Sequence, residues 1–196
     1  MTAPEQAPPE TASRALSAKI VIAGELGVGK TTLVGAVSDI VPLKTEALMT
    51  DLGSEIDDTS AVPDKTTTTV AMDFGRITLN DGLVLYLFGT PGQHRFWFMW
   101  DDLSLGAIGA ILLVDTRRVD ESFAAVDYFE ELGLPFLVAV NEFEGAPKFP
   151  EEAIRDALSL SDDVPVMTID ARDRESAKTA LITLTGHALA RVKAKS

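Results

Sequence analysis

Residues 24 to 31 read Gly-Glu-Leu-Gly-Val-Gly-Lys-Thr, the pattern G-x-x-x-x-G-K-[ST], set between a short apolar run and a helical periodicity. Glycines at these positions let a backbone wrap around a phosphate, with successive N–H groups turned inward and the helix N-terminus adding positive potential. The expected ligand is therefore a nucleotide, held by Gly24, Glu25, Leu26, Gly27, Val28, Gly29, Lys30, Thr31 and Thr32. Lys30 would reach the outer phosphates, and the Thr31 hydroxyl is placed to ligate Mg²⁺. A glycine-rich turn with an incidental lysine would not need the strand before it or the helix after it.

Phosphate capture leaves the base undefined, and that choice falls to the ends of later strands, where loops meet at the ligand-binding edge of an open α/β sheet. Val140 runs into Asn141-Glu-Phe-Glu144, and Ile169 into Asp170-Ala171-Arg172. At these loops the chain resembles the small GTPases, and by that resemblance the Glu144 carboxylate would accept the N1–H and amino group of guanine, whereas adenine would leave it unpaired at about 1–3 kcal/mol per lost contact. Asn141 and Glu144 could also be ordinary turn residues. Asp115, which ends the run Ile111-Leu-Leu-Val, is read as a cap on its loop ahead of Arg117 and Arg118, with metal binding as the alternative.

These residues need a frame of alternating strands and helices. Lys19–Ala23 reads as a strand, and Leu33, Val34, Val37 and Ile40 recur at helical spacing. A polar stretch follows from about Val41 to Thr68, with Asp51, Glu55, Asp57, Asp58 and Asp64, far longer than the median loop of roughly 4–6 residues. Val70–Leu79 and Leu83–Phe88 flank Asn80-Asp-Gly82, a strong hairpin signal. Ala110–Val114, Phe136–Val140 and Val164–Ile169 give further strands. Between and after them fall a helix carrying Val119, Phe123, Val126 and Phe129, closed by Gly133, a short helix near Glu151–Leu158, and a last helix over about Arg174–Val192. The fold class expected is α/β: about six mostly parallel strands, helices on both faces and one antiparallel edge strand from the hairpin.

The chain has 196 residues, 46% of them apolar, enough for one core. Thirty acidic against seventeen basic side chains give a net charge of −13, which disfavours nucleic acid as a partner. The absence of cysteine excludes a disulfide framework and fits a cytoplasmic setting. Residues 1–17, with three prolines and two glutamates, are expected to form a disordered tail. No stretch approaches the roughly 18 apolar residues of a membrane span, and no lipid-anchor signal is read at either end.

The phosphate loop, Pro91-Gly92-Gln93, Asn141-Glu-Phe-Glu144 and Asp170-Ala171-Arg172, in that order, resemble the Ras-like small GTPases over about Lys19 to Arg191. The resemblance implies a P-loop small-GTPase domain over residues 18–196 that binds GTP or GDP with Mg²⁺ and hydrolyses GTP. It assigns Asn141, Glu144, Asp170, Ala171 and Arg172 to the base, with the Ala171 N–H offered to the guanine oxygen. Thr69, or else Thr68, would be the first-switch threonine that meets Mg²⁺ beside Thr31. Lys30, Gly92 and Gln93 would be catalytic, Gly92 donating to the terminal phosphate and Gln93 orienting water.

Two departures stand out: Gly89 occupies the place of the family's metal-linked aspartate, and the bulky Leu26 a place that is often glycine. Together they imply slow intrinsic turnover that relies on a partner, with Arg95 a candidate arginine in cis. Gly89-Thr-Pro-Gly-Gln-His-Arg-Phe, with the two base loops, looks most like the small GTPases of actinobacterial conservon operons, related to the gliding-motility polarity group. That likeness brings a roadblock-type regulatory protein, a sensor-kinase-like membrane protein and a small helper protein as partners, and recruitment to the membrane through them. Phe96-Trp-Phe-Met-Trp100 is read either as packing beneath the second switch or, through Trp97 and Trp100, as partner anchors. A guanine-nucleotide scaffold without turnover and a P-loop ATPase or kinase remain rival classes.

Overall fold

The apolar run that precedes the phosphate loop forms the central strand β1, Ser17–Ala23, whose last four residues are buried. A computed structural model describes residues 16–49, 68–79 and 82–194; residues 1–15 of the expected tail and the carboxylates Asp51, Glu55, Asp57, Asp58 and Asp64 lie outside the described residues. The remaining elements are α1 Lys30–Val37, β2 Leu43–Met49, β3 Thr68–Thr78, β4 Val84–Gly89, α2 Phe98–Ser104, β5 Ala107–Val114, α3 Phe123–Leu132, β6 Phe136–Asn141, α4 Glu151–Ala157, β7 Val166–Ile169 and α5 Arg174–Ala194.

The sheet has seven strands in the order β2-β3-β4-β1-β5-β6-β7. Strands β4, β1, β5, β6 and β7 are parallel neighbours, and β3 runs antiparallel to both β4 and β2. This is the α/β P-loop NTPase fold. Two expectations change. The strand count is seven because part of the stretch read as a polar loop pairs with β3, and the antiparallel strand is one place in from the edge. Leu43-Lys-Thr-Glu-Ala-Leu-Met49 lacks alternating polarity, and an edge strand can be held by the ladder of hydrogen bonds to its neighbour.

Parallel strands covered on both faces need apolar side chains on each, and the near-continuous runs supply them. On one face Ile20, Ile22, Leu85 and Leu113 pack with Leu33 and Val37 of α1 and Leu181 and Leu184 of α5. On the other, Val21, Leu112 and Val138 pack with Trp100, Phe129 and Ile154. Ala177, Leu181, Leu184 and Ala188 of α5 are buried as their spacing predicts. Phe123 is not: it opens α3 after a 3₁₀ turn at Val119–Ser122, and its change of phase turns the ring outward, leaving Ala125, Val126 and Phe129 as the buried set. Among the described residues no helix is long and apolar enough to cross a membrane.

Gly133 ends α3 in the left-handed region at φ 65°, its N–H bonded to Glu130 O. A Cβ at this position would meet nothing within 4 Å, so only backbone strain opposes a side chain. Gly133→Ala is expected to lower stability by about 1 kcal/mol, read as a shift in the urea midpoint at constant slope.

Candidate nucleotide-binding site

The phosphate loop, the Pro91-Gly92-Gln93 turn and the Asn141 and Asp170 loops follow the carboxyl ends of β1, β4, β6 and β7, the edge where open α/β sheets leave a crevice. The phosphate loop joins β1 to α1, and Gly24, Gly27 and Gly29 take positive φ, a region open to glycine at little cost. Gly29, at φ 110°, also passes against Asn141: a Cβ there would meet Asn141 Nδ2 at 2.6 Å. Lys30 is only 8% exposed, and its Nζ donates to the carbonyls of Gly24 at 2.6 Å and Glu25 at 2.7 Å. Burial lowers its pKa to about 8, against the opposing pull of Glu25 and Asp73.

Two cavities share Gly27, Gly29 and Thr32. The first, about 310 Å³, is lined by Leu26, Lys30, Thr31, Asp73, Thr90 and Gly92, among others. Gly92 sits directly on the loop, where a Cβ would lie 2.6 Å from both Leu26 N and Lys30 Nζ. The second, about 150 Å³, brings Gly29, Asn141, Glu144, Asp170, Ala171 and Arg172 together. The two cavities thus meet at the phosphate loop, on either side of Gly27, Gly29 and Thr32.

Several of the expected site residues bond to other groups of the chain. Asn141 is buried, and its amide clamps two loops: Nδ2 donates to Val28 O at 2.9 Å, and Oδ1 accepts the Ala171 N–H at 2.9 Å. The Ala171 N–H expected for a guanine oxygen thus already has an acceptor. Asp170 is closed on Arg172, which donates from its N–H, Nε and Nη2 at 2.8–2.9 Å and holds the carboxyl at a pKa of about 2. Gln93 accepts from Arg95 Nε at 2.8 Å, and that guanidinium lies over the Phe96 ring. Leu26 is 62% exposed above the loop.

Asp115 is buried under Arg117 and Arg118, and Arg117 hydrogen bonds hold its carboxyl below the usual range. Its loop-capping reading fits this, since Arg117 N–H also donates to Oδ1 at 3.0 Å. Trp100 is core: it stacks on Trp97 and Phe129 and donates from Nε1 to Pro91 O at 3.3 Å. Its place as an exposed anchor is corrected, because α2 turns it under the Pro-Gly-Gln loop; Phe98 is the exposed ring of the aromatic run. Thr68 and Thr69 open β3 opposite Met49 and Leu48, and their side chains lie outside what the structure describes.

Residues 22–191 match the family described as conserved hypothetical ATP binding protein. The chain belongs to that family. It is 31% identical over 126 residues to the uncharacterized protein MJ1339 of Methanocaldococcus jannaschii, a match covering 63% of this chain and 69% of that protein. In shape it is similar to the G-domain of FeoB from Methanococcus jannaschii, with a TM-score of 0.59 and 14% identity over 88% of this chain and 98% of that one. The fold of this family member is accordingly that of a G-domain, and the chain is a nucleotide-binding P-loop NTPase.

Two site residues escaped the sequence reading. Thr90, 3% exposed, is among the residues lining the cavity with Lys30 and Thr31, and its buried hydroxyl finds no hydrogen-bond partner among the described residues. Asp73 accepts a hydrogen bond from Thr31 Oγ1 at 2.5 Å. A signal for Asp73 existed: counting eight residues outward on either side of Asp81 in the hairpin sets it opposite Gly89. The set fits Mg²⁺, which binds hard oxygens through one or two protein groups, waters and nucleotide phosphates. Thr31 and Asp73 supply such oxygens, and the orphaned Thr90 hydroxyl calls for a polar neighbour.

Proposed function

We propose that this chain is a GTP-binding switch that hydrolyses GTP to GDP and phosphate, slowly alone and faster with a partner. The observation that carries the guanine reading is the base cavity beside the phosphate loop, where Glu144 offers an exposed carboxylate next to Asn141 and Arg172. Such an acceptor suits guanine's two donors and leaves adenine unpaired. Lys30 and the loop N–H groups would bind the phosphates, Gly92 would donate to the terminal one, and Gln93 would orient water. Mg²⁺, held by Thr31 and Thr69, would neutralise charge on the transferred phosphoryl group.

Slow intrinsic turnover is supported by the exposed Leu26 above the loop and by the Arg95 bond that holds Gln93. A partner would have to release that amide. The roadblock-type regulator, the sensor-kinase-like protein, a cytoplasmic location with recruitment through them, and the conservon and gliding-motility relationship belong to this proposal through the resemblance. A second reading, an ATPase or kinase, is favoured by the family's description as ATP binding. Mass spectrometry of nucleotide released from purified protein tests the choice: GDP or GTP is expected, and adenine nucleotide overturns the reading. Single-turnover hydrolysis then separates a switch from a scaffold.

The lowered pKa of Lys30 gives this function a pH signature. Below about 8 the folded protein carries a desolvated ammonium, an unfavourable contribution relieved as pH rises from about 8 toward 10.5, where the unfolded chain binds the extra proton. Phosphate beside Nζ favours the charged form, so nucleotide binding should take up a proton at pH 8.5 but not at pH 6.5. Calorimetry in buffers of different ionisation enthalpy is expected to show buffer-dependent heats only at the higher pH, with affinity falling above pH 8.

A further inference from the structure

Strand β4 ends in Gly89, where the resembled GTPases carry the aspartate linked to Mg²⁺. In the antiparallel ladder Asp73 of β3 lies directly opposite Gly89, so the two positions point to the same face of the sheet. A Cβ built on Gly89 would lie 3.1 Å from Asp73 Cβ and 3.3 Å from Asp73 Oδ2. The Asp73 side chain fills the space above the glycine, and it lines the same cavity as Lys30, Thr31, Thr90 and Gly92. Its carboxylate also acts on the Lys30 ammonium.

We propose that Asp73 supplies, from the neighbouring strand, the carboxylate that holds Mg²⁺ and its waters in this site. The proposal rests on the nucleotide-binding reading above and goes beyond it by naming the residue that replaces the absent one. The hydrogen bond has the polarity this requires: Thr31 Oγ1 donates its proton to Asp73 Oδ2, which leaves the hydroxyl lone pairs free for a cation. Thr90 lines the same cavity, and its buried hydroxyl has no partner among the described residues.

A second carboxylate at position 89 would crowd Asp73, and like charges that close cannot both ionise. Glycine at 89 and aspartate at 73 are thus two halves of one arrangement, a single carboxylate delivered across the β3–β4 rung. The absence of an acid from the end of β4 then does not weaken the metal site.

The test uses the full chain and dissociation of a fluorescent guanine nucleotide, followed across a Mg²⁺ titration. In the wild type Mg²⁺ is expected to slow release. Asp73→Asn, nearly isosteric, is expected to raise the Mg²⁺ midpoint about tenfold, the scale on which groups supporting a metal act, with release in chelator unchanged. The exchange Asp73→Gly with Gly89→Asp is expected to bring the midpoint back towards wild type. A midpoint in Asp73→Asn that stays put overturns the proposal, and so does one that falls, which would make Asp73 a plug of the metal site. Failure of the wild type to bind guanine nucleotide would instead overturn the functional reading, so the two are told apart.

Discussion

Lys30→Ala is expected to weaken nucleotide binding by roughly 10²–10³-fold while leaving the fold intact. The ammonium is almost fully removed from water and donates to the carbonyls of Gly24 and Glu25. Its desolvation is already in place before phosphate arrives, so the charge-assisted bonds it then makes are strong, and truncating one side of such a pair costs about 3–5 kcal/mol. The fold itself should change little, because the variant removes an unfavourably buried charge while leaving Gly24 O and Glu25 O to water or to each other's neighbours. Lys30→Arg is not expected to rescue, since a planar guanidinium does not fit a slot shaped by two carbonyls 2.6–2.7 Å from one nitrogen. Titration with fluorescent nucleotide beside a urea curve checks both halves of this expectation.

Asn141→Ala is expected to cost about 2–4 kcal/mol of stability and, through it, nucleotide affinity. One amide closes two long loops, joining β6 to the phosphate loop 113 residues back and to the Ala171 turn 30 residues on. Alanine would leave Val28 O and the Ala171 N–H buried without a partner, at about 1–3 kcal/mol each. Water entering the gap would recover part of that cost. Nucleotide that binds only the folded state should restore stability in proportion to its concentration. Gly29→Ala should not add fully to Asn141→Ala, because the new Cβ strikes the very amide that the second change removes. Chemical denaturation of the two single variants and the double variant reads this coupling.

Both variants also discriminate between roles that share one site. Lys30 acts on the ligand and little on the fold; Asn141 acts on the fold and, by positioning the loop, on the ligand. Were Asn141 chiefly a base contact, its loss would change nucleotide preference without moving the urea midpoint. Its two 2.9 Å bonds to backbone groups point to the opposite outcome.

The sequence by itself determined the phosphate loop, the alternation of strands and helices, and the buried positions of α5. These follow from neighbours in the chain: glycines three and five residues apart set the curl between Gly24 and Gly29, and a repeat of apolar residues fixes a helix face wherever the helix lies. Even the hairpin was local, centred on Asp81. Only the tertiary structure decided which side chains meet. Strand β2 became visible through pairing with β3 and not through its own pattern. Trp100 turned inward because α2 lies against β5 and α3, and Asn141 became a clamp because β6 ends beside the phosphate loop. The carboxylate at Asp73 reached Thr31 because the order β3-β4-β1 and the Asp73–Gly89 rung bring residues 42 positions apart within a hydrogen bond. Periodicity and motif spacing carry no information about strand order, and in this site that order, together with the Asp73–Gly89 rung, decides where the negative charge sits.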